Sequence, residues 1–268
     1  MNSVLLYVLF YTQIILESLP VSSSGHVALL MRYWNMLQLK DLGAVPFWII
    51  DFLLHIPTIV ILTLFFCKQW WNTFLGVPFY RFYCQQKFWA NLLKMAVFVG
   101  IIDGITFLSW GLHIVPSVSL TVGFMVTAIA LFSLKYLAEG KGVIEWNYKH
   151  AVALGVVQSL SLMPGVSRFA TTYVASCWLG YKRQDAFALS FLIQFPLLFG
   201  AACKGLLALR GYFESIQSLF DLQLLFVILS ASCISYLVLC GMYVLVIRKQ
   251  LWYISWYMAV PILLSVLL

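Results

Sequence analysis

The sequence predicts an all-α integral membrane protein. Three observations carry this: 63% of its 268 residues are hydrophobic, only 9% are charged, and the apolar residues come in long blocks without alternation. Soluble domains carry roughly 25% charged residues, and a mean hydropathy of +0.97 leaves too little polar side chain to cover a globule in water. A porin-like barrel would show short alternating segments instead. Because two of the blocks are interrupted midway, the expected architecture is six transmembrane helices plus two re-entrant helix-loop-helix hairpins, arranged as two inverted-topology repeats.

In chain order, the first element is a hairpin over 3–36, broken at Leu-Glu-Ser-Leu-Pro-Val-Ser-Ser-Ser-Gly-His. Each half is too short to cross a bilayer, and backbone exposed at membrane depth is tolerated only inside protein or beside water. Spans follow at 46–67, 88–112 and 116–136, then a cytoplasmic linker over 137–150. The second hairpin, 151–180, breaks at Ser-Leu-Ser-Leu-Met-Pro-Gly-Val-Ser-Arg-Phe-Ala-Thr-Thr and precedes spans at 186–208, 222–247 and 252–268. The block Asp51-Phe52-Leu53-Leu54-His55-Ile56-Pro57 aligns without gaps on Ser190-Phe191-Leu192-Ile193-Gln194-Phe195-Pro196. Within one membrane domain, 1–268, repeat one covers 1–136 and repeat two 151–268. Three spans per repeat send the second repeat in from the opposite side, with a site expected where the two meet.

The net charge is +7, but the basic residues stand singly between apolar blocks. That pattern argues against nucleic acid as a partner and for a topology signal toward membrane lipids. Lys68, Arg81, Lys87, Lys141, Lys149, Lys182, Arg183, Arg248 and Lys249 fall on one face, expected to be cytoplasmic, against Arg32, Lys40 and Arg210 on the other. Both termini are therefore expected outside. The six cysteines show no metal-ligand spacing and are expected to be free thiols. No basic-led leader with a cleavage site precedes the first apolar block, so no removal is expected.

Ionisable groups inside a membrane are costly and mark candidate sites. Gln13 and Glu17 stand one helical turn apart and can share a cation or a hydrogen-bond network. Pro20 closes that helix, and Ser22, Ser23, Ser24 and Gly25 then lead to His26: hydroxyls, a permissive backbone and a base that titrates near neutrality, as phosphoryl or acyl transfer needs. The same residues also read as a serine-rich helix cap with a packed core histidine. In the second hairpin, Gly165, Ser167 and Arg168 open a helix whose N-terminus, with the guanidinium and the hydroxyls of Thr171 and Thr172, suits an anion. Pairing of Arg168 with Glu17 or Asp51 for neutralisation alone is the competing reading. Asp51 and His55, one turn apart, are expected to support the first loop, with Gln194 in the equivalent place of the second repeat.

These segments resemble the paired signatures of the undecaprenyl-diphosphatase family, also called bacitracin-resistance proteins. Gln13-xxx-Glu17, Leu-Pro-Val-Ser-Ser-Ser-Gly-His and Pro-Gly-Val-Ser-Arg carry the resemblance, which runs through nearly all of the chain. It implies hydrolysis of undecaprenyl diphosphate to undecaprenyl phosphate and inorganic phosphate, recycling of the lipid carrier for peptidoglycan and envelope polymers, bacitracin resistance, and dependence on a divalent cation, Mg2+ or Ca2+. By the same resemblance Glu17, Ser23, His26 and Arg168 are catalytic, Gln13 and Glu17 hold the metal, and Ser22, Ser24, Gly25, Gly165, Ser167 and Thr172 join Arg168 on the substrate. It also implies a multi-pass protein of the bacterial plasma (inner) membrane, its cavity facing the periplasmic or outer side. One departure stands out: Phe169-Ala170 replaces the Ser-Gly that follows this motif in the family, removing a hydroxyl and a flexible point.

The attacking group is open between Ser23 and a water, with His26 as base in either case. Two rivals are distinguishable. Type 2 phosphatidic acid phosphatases use Lys-x6-Arg-Pro and Ser-Arg-x5-His, but the first is absent and the histidine position is Val174. A non-enzymatic lipid-phosphate transporter or flippase would bind the same head group and release no phosphate.

Overall fold

The computed structural model describes residues 3–36, 47–75, 94–102, 104–106, 118–140, 147–212 and 222–268. Among these, every regular element is helical. Helices α1 (Ser3–Leu16) and α2 (Ser23–Met36) form an antiparallel pair. At 14 residues each they reach about 21 Å, short of a hydrocarbon core of roughly 30 Å. α1 stops four residues before Pro20. The Ser18 and Leu19 amides turn to the carbonyls three residues back, a tightening that fits a chain about to lose the N–H of Pro20. Ser22 then adopts φ 66°, and its hydroxyl accepts the Gly25 N–H while its carbonyl accepts that of His26. Ser22 therefore caps α2, and the helix starts three residues earlier than His26.

The next span is divided at Leu54 into α3 (Phe47–Leu53) and α4 (His55–Leu75). Pro57 explains the break, since it offers no amide to the Leu53 carbonyl and its ring crowds it. Helical residues 94–102 form α5. α6 (Leu120–Ser133) is capped by Ser119. α7 (Tyr148–Leu160) and α8 (Arg168–Trp178) form the second hairpin, capped by Asn147 and Ser167. α9 (Arg183–Leu209) runs on through Pro196. α10 (Leu222–Ile247), the short α11 (Ile254–Tyr257) and α12 (Ala259–Leu267) complete the chain.

α1 lies along α10, and α9 is the central post against which α3, α4 and α8 pack. Behind the second loop a ring cluster joins α4, α8, α9 and α10: Phe169 and Phe191 have centroids 4.5 Å apart, and Phe187 meets Phe65, Phe191 and Tyr243. The outward faces are apolar as well. Leu222, Phe226, Leu237 and Leu267 are each more than two-thirds exposed, as lipid-facing residues are.

Among the described residues, three helices are long and apolar enough to cross a membrane: Trp48–Phe66, Arg183–Tyr212 and Leu222–Ile247. These meet the expected spans at 46–67, 186–208 and 222–247. Leu120–Ser133 and Leu251–Leu267 are apolar but shorter, the first because Ser119 caps it and the second because it is assembled from a 3-10 turn and two short helices. Much of 88–112 lies outside the described residues, as do the topology charges Lys40, Arg81, Lys87 and Lys141 and the side chain of Lys68. Cys177, Cys203, Cys233 and Cys240 are free thiols; Cys67 and Cys84 fall outside the described side chains.

Two polar residues differ from expectation. Arg183, counted among the topology charges, is buried and donates to the carbonyls of Leu134 (3.4 Å) and Leu137 (3.0 Å) just beyond α6. His150, at the end of the expected linker over 137–150, sits in α7 and pairs with the Tyr181 hydroxyl at 2.7 Å.

Candidate active site

The two hairpin loops, far apart in sequence, line one cleft with about 310 Å³ of atom-free space. The first contributes Glu17, Ser22, Ser23 and Ser24; the second contributes Ser161, Ser167 and Arg168; Gln194 of α9 completes the wall. Their contact is backbone against backbone. A Cβ on Gly25 would fall 2.9 Å from the Gly165 Cα, and Gly165 itself holds φ +85°, where one would meet the Leu120 carbonyl at 2.6 Å. Glycine is needed at both places for closeness, and at Gly165 also for conformation.

Thr127 of α6 fastens the second loop. Its hydroxyl donates to the Gly165 carbonyl at 3.0 Å and accepts the Ser167 N–H at 2.9 Å. Ser167 in turn caps α8 by accepting the Ala170 N–H, so the positive end of that helix dipole faces the cleft. Arg168 begins α8, and its Nε is buried with no hydrogen-bond partner among the described residues. An unpaired buried guanidinium N–H is costly, and an incoming oxyanion would satisfy it. Thr172, expected on the substrate, is fully buried and spends its hydroxyl on the Arg168 carbonyl at 2.7 Å. It stiffens the first turn of α8 and does not line the cleft.

In the first loop the Ser23 hydroxyl donates to the Glu17 carboxylate. His26 is turned elsewhere. Its Nδ1 lies 2.8 Å from the Ser22 carbonyl, an obligate acceptor, so Nδ1 carries a proton and donates, and Nε2 pairs with the Tyr257 hydroxyl at 3.1 Å. The ring stacks on Tyr257 and meets the edge of Phe124. The partner of Ser23 in the structure is thus a carboxylate, and the imidazole braces the backbone behind it.

Gln13 is buried with its Oε1 unpartnered, and the same holds for Asp51 Oδ1 and His55 Nδ1 among the described residues. Asp51 and His55 lie within electrostatic reach of both Glu17 and Arg168. Among the described residues no three His, Cys, Asp or Glu side chains converge on a metal position. The free donors beside Glu17 include the Gln13 and Asp51 oxygens. Such a set suits a hard cation held by one or two carboxylates and completed by substrate phosphates, the usual manner of Mg2+.

Sequence reasoning singled out both loops, but not Thr127, Tyr257 or Ser161. Thr127 and Tyr257 lie on helices that read as ordinary spans. Ser161, whose hydroxyl donates to the Gln158 carbonyl, carried only the weak signal of a hydroxyl near the break at Pro164.

Comparison with known proteins agrees with this geometry. Residues 8–263 match the family described as bacitracin resistance protein BacA. An undecaprenyl-diphosphatase of Halothermothrix orenii is 33% identical over 194 residues, 69% of this chain and 67% of the relative. One of Borrelia hermsii is 28% identical over 83% of each chain, and one of Methanococcus maripaludis is 30% identical over 78% of this chain and 80% of its own. With a match of this extent, and with both signature loops closing on one cleft, the chain belongs to the BacA family of bacitracin resistance proteins.

Proposed function

We propose that this protein hydrolyses undecaprenyl diphosphate to undecaprenyl phosphate and inorganic phosphate within the plasma membrane, returning the carrier to peptidoglycan and envelope polymer synthesis and lowering the amount of bacitracin target. The observation that carries the reading is the Ser23–Glu17 hydrogen bond inside a polar cleft shared with the unpaired Nε of Arg168.

In this mechanism Arg168 and the α8 N-terminus take the phosphate charge, which an apolar surround strengthens. Glu17 removes the Ser23 proton as Oγ attacks the terminal phosphorus, and passes it to the lipid monophosphate, which leaves as the bond to the bridging oxygen breaks. Ser23 is the first residue of α2, so the dipole there favours the anionic serine ester. Glu17 then delivers a water to the phosphoserine, which restores Ser23 and frees inorganic phosphate. His26, tied to the Ser22 carbonyl, keeps the loop in register. A divalent cation, Mg2+ or Ca2+, held by Glu17 with Gln13 and Asp51 in support, would neutralise charge on the diphosphate.

The architecture proposed with it is six spans plus two re-entrant hairpins in inverted repeats, 1–136 and 151–268, joined by a cytoplasmic linker over 137–150, with the cleft open to the outer side. Supporting this, the hairpin helices are too short to span, and the repeated block brings Asp51 and His55 near the cleft from one half and Gln194 into its wall from the other.

Phosphate release from undecaprenyl diphosphate by the purified protein, with and without chelator, tests the reading, and a trapped phosphoserine on Ser23 tests the attacking group. Lipid transport without phosphate release would establish a transporter instead.

A further inference from the structure

A second cavity lies beside the polar cleft. It holds about 860 Å³ of atom-free space between α1, the α3–α4 span, the end of α9 and the start of α10. Every lining residue among the described ones is apolar: Leu6 and Phe10 stand on α1, Leu54 and Pro57 on the divided span, Leu209 on α9 and Ile228 on α10. Counted as space that small molecules can occupy, this half-open groove offers about 270 Å³, more than close-packed side chains ordinarily leave. A space without polar lining offers nothing to hold ordered water, so its shape and chemistry fit an apolar ligand.

Its position ties it to the cleft. On α1 and the turn that continues it, where the Glu17 N–H still bonds the Gln13 carbonyl, Leu6, Phe10, Gln13 and Glu17 succeed one another in steps of four, three and four, which puts them on one helical face. The first two line the cavity, Gln13 is buried between, and Glu17 lines the cleft. Phe10 and Glu17 are separated by about 10 Å of helix. The divided span borders both spaces on adjoining faces: Ile50 and Leu54 line the cavity, and Asp51 and His55, each one residue further on, feel the charges of Glu17 and Arg168. A molecule with its anionic head in the cleft and an apolar chain leaving it meets this cavity within its first few isoprene units.

We infer that the cavity seats the isoprenoid segment next to the diphosphate and sets the preference for a long polyprenyl chain over a short one. This rests on the phosphatase reading above and adds to it the wall that reads the tail.

The test compares kcat/KM for undecaprenyl diphosphate and for dimethylallyl diphosphate, whose single isoprene unit ends short of the cavity, in the purified full-length protein. Leu209→Trp and Ile228→Trp fill the cavity from different walls, and melting temperatures identify the variants that fold. The expected result is a fall of at least about tenfold in the long-to-short ratio, mainly through KM for the long chain. An unchanged ratio in a folded variant overturns the inference, and is the outcome if an acyl chain of a membrane lipid occupies the space instead. If the wild type releases phosphate from neither substrate, the phosphatase reading fails separately. Photocrosslinking then still locates the chain, using undecaprenyl phosphate with a diazirine on its first isoprene units. Labelling within 3–16, 47–57, 206–209 or 222–228 supports the assignment, and labelling elsewhere overturns it.

Discussion

The two hairpin loops are built alike but held differently. The first, 17–22, carries a carboxylate and a run of hydroxyls, bends through the left-handed Ser22, and is braced from behind by His26 and, through it, by Tyr257. The second, 161–167, presents Arg168 and is fastened directly into α6 by both functions of the Thr127 hydroxyl. A clamp for a fixed charge profits from being rigid before substrate arrives, whereas a loop that exchanges a proton and forms a bond needs its reactive group aimed and its backbone supported at one remove.

The largest expected effect falls on the reactive loop. Glu17→Gln keeps the shape but removes the base, and Ser23→Ala removes the hydroxyl. Each should lower kcat for phosphate release by about 10³-fold with KM changed little. Were Ser23→Ala to keep near-normal turnover, a water would be the attacking group and the two loops would both be binding elements. Arg168→Ala should cost about 10²- to 10³-fold and act on KM as well as kcat. Arg168→Lys should recover only part of it, because an ammonium lacks the planar fork.

Thr127→Val tests the fastening. It is close in shape but leaves the Gly165 carbonyl without its Thr127 donor and the Ser167 N–H without its Thr127 acceptor, so a loss of about 1–3 kcal/mol in unfolding free energy is expected. KM should rise about tenfold if the second loop then loosens its hold on the phosphate. Tyr257→Phe, which frees His26 Nε2 while keeping the stacked ring, should lower kcat by a few fold at unchanged KM and stability. Equal behaviour of these two variants would erase the contrast between the loops.

The sequence shows the chemistry more clearly than the carpentry. Pro20, Pro164 and the hydroxyl runs mark both interruptions because a broken apolar block is a local signal, and the gapless repeat points to two halves meeting. Thr127 gives no such signal: a threonine in an apolar helix commonly bonds its own carbonyl four residues back, as Thr127 also does with Gly123, and its second partner lies 38 residues away. Tyr257 is 231 residues from His26, and nothing in an aromatic-rich C-terminus singles it out. Reading His26 as the base for Ser23 followed from adjacency in sequence. On a helix start, residues three apart can point to different partners, and the structure gives Ser23 to Glu17. Arg183 counted as a loop charge for the same reason, its acceptors lying beyond α6.

The smallest expected effect lies away from both loops, where Lys249 Nζ meets Glu139 Oε2 at 2.5 Å with both side chains about half exposed. The hydrogen bond and charge of Lys249 hold the Glu139 carboxyl below its usual range. A carboxyl depressed in the folded state adds stability above its unfolded range and loses that contribution as pH falls through the folded value. Lys249→Gln removes the charge and keeps a side chain of similar length at a residue with φ 60°, so backbone strain is matched. Melting should therefore drop slightly at neutral pH, less in high salt, and the difference from wild type should vanish in acid. Phosphate release should be untouched. A variant that slows release would mean that the end of α6 reaches Thr127 through the helix, and the second loop would then be less firmly set than its two hydrogen bonds imply.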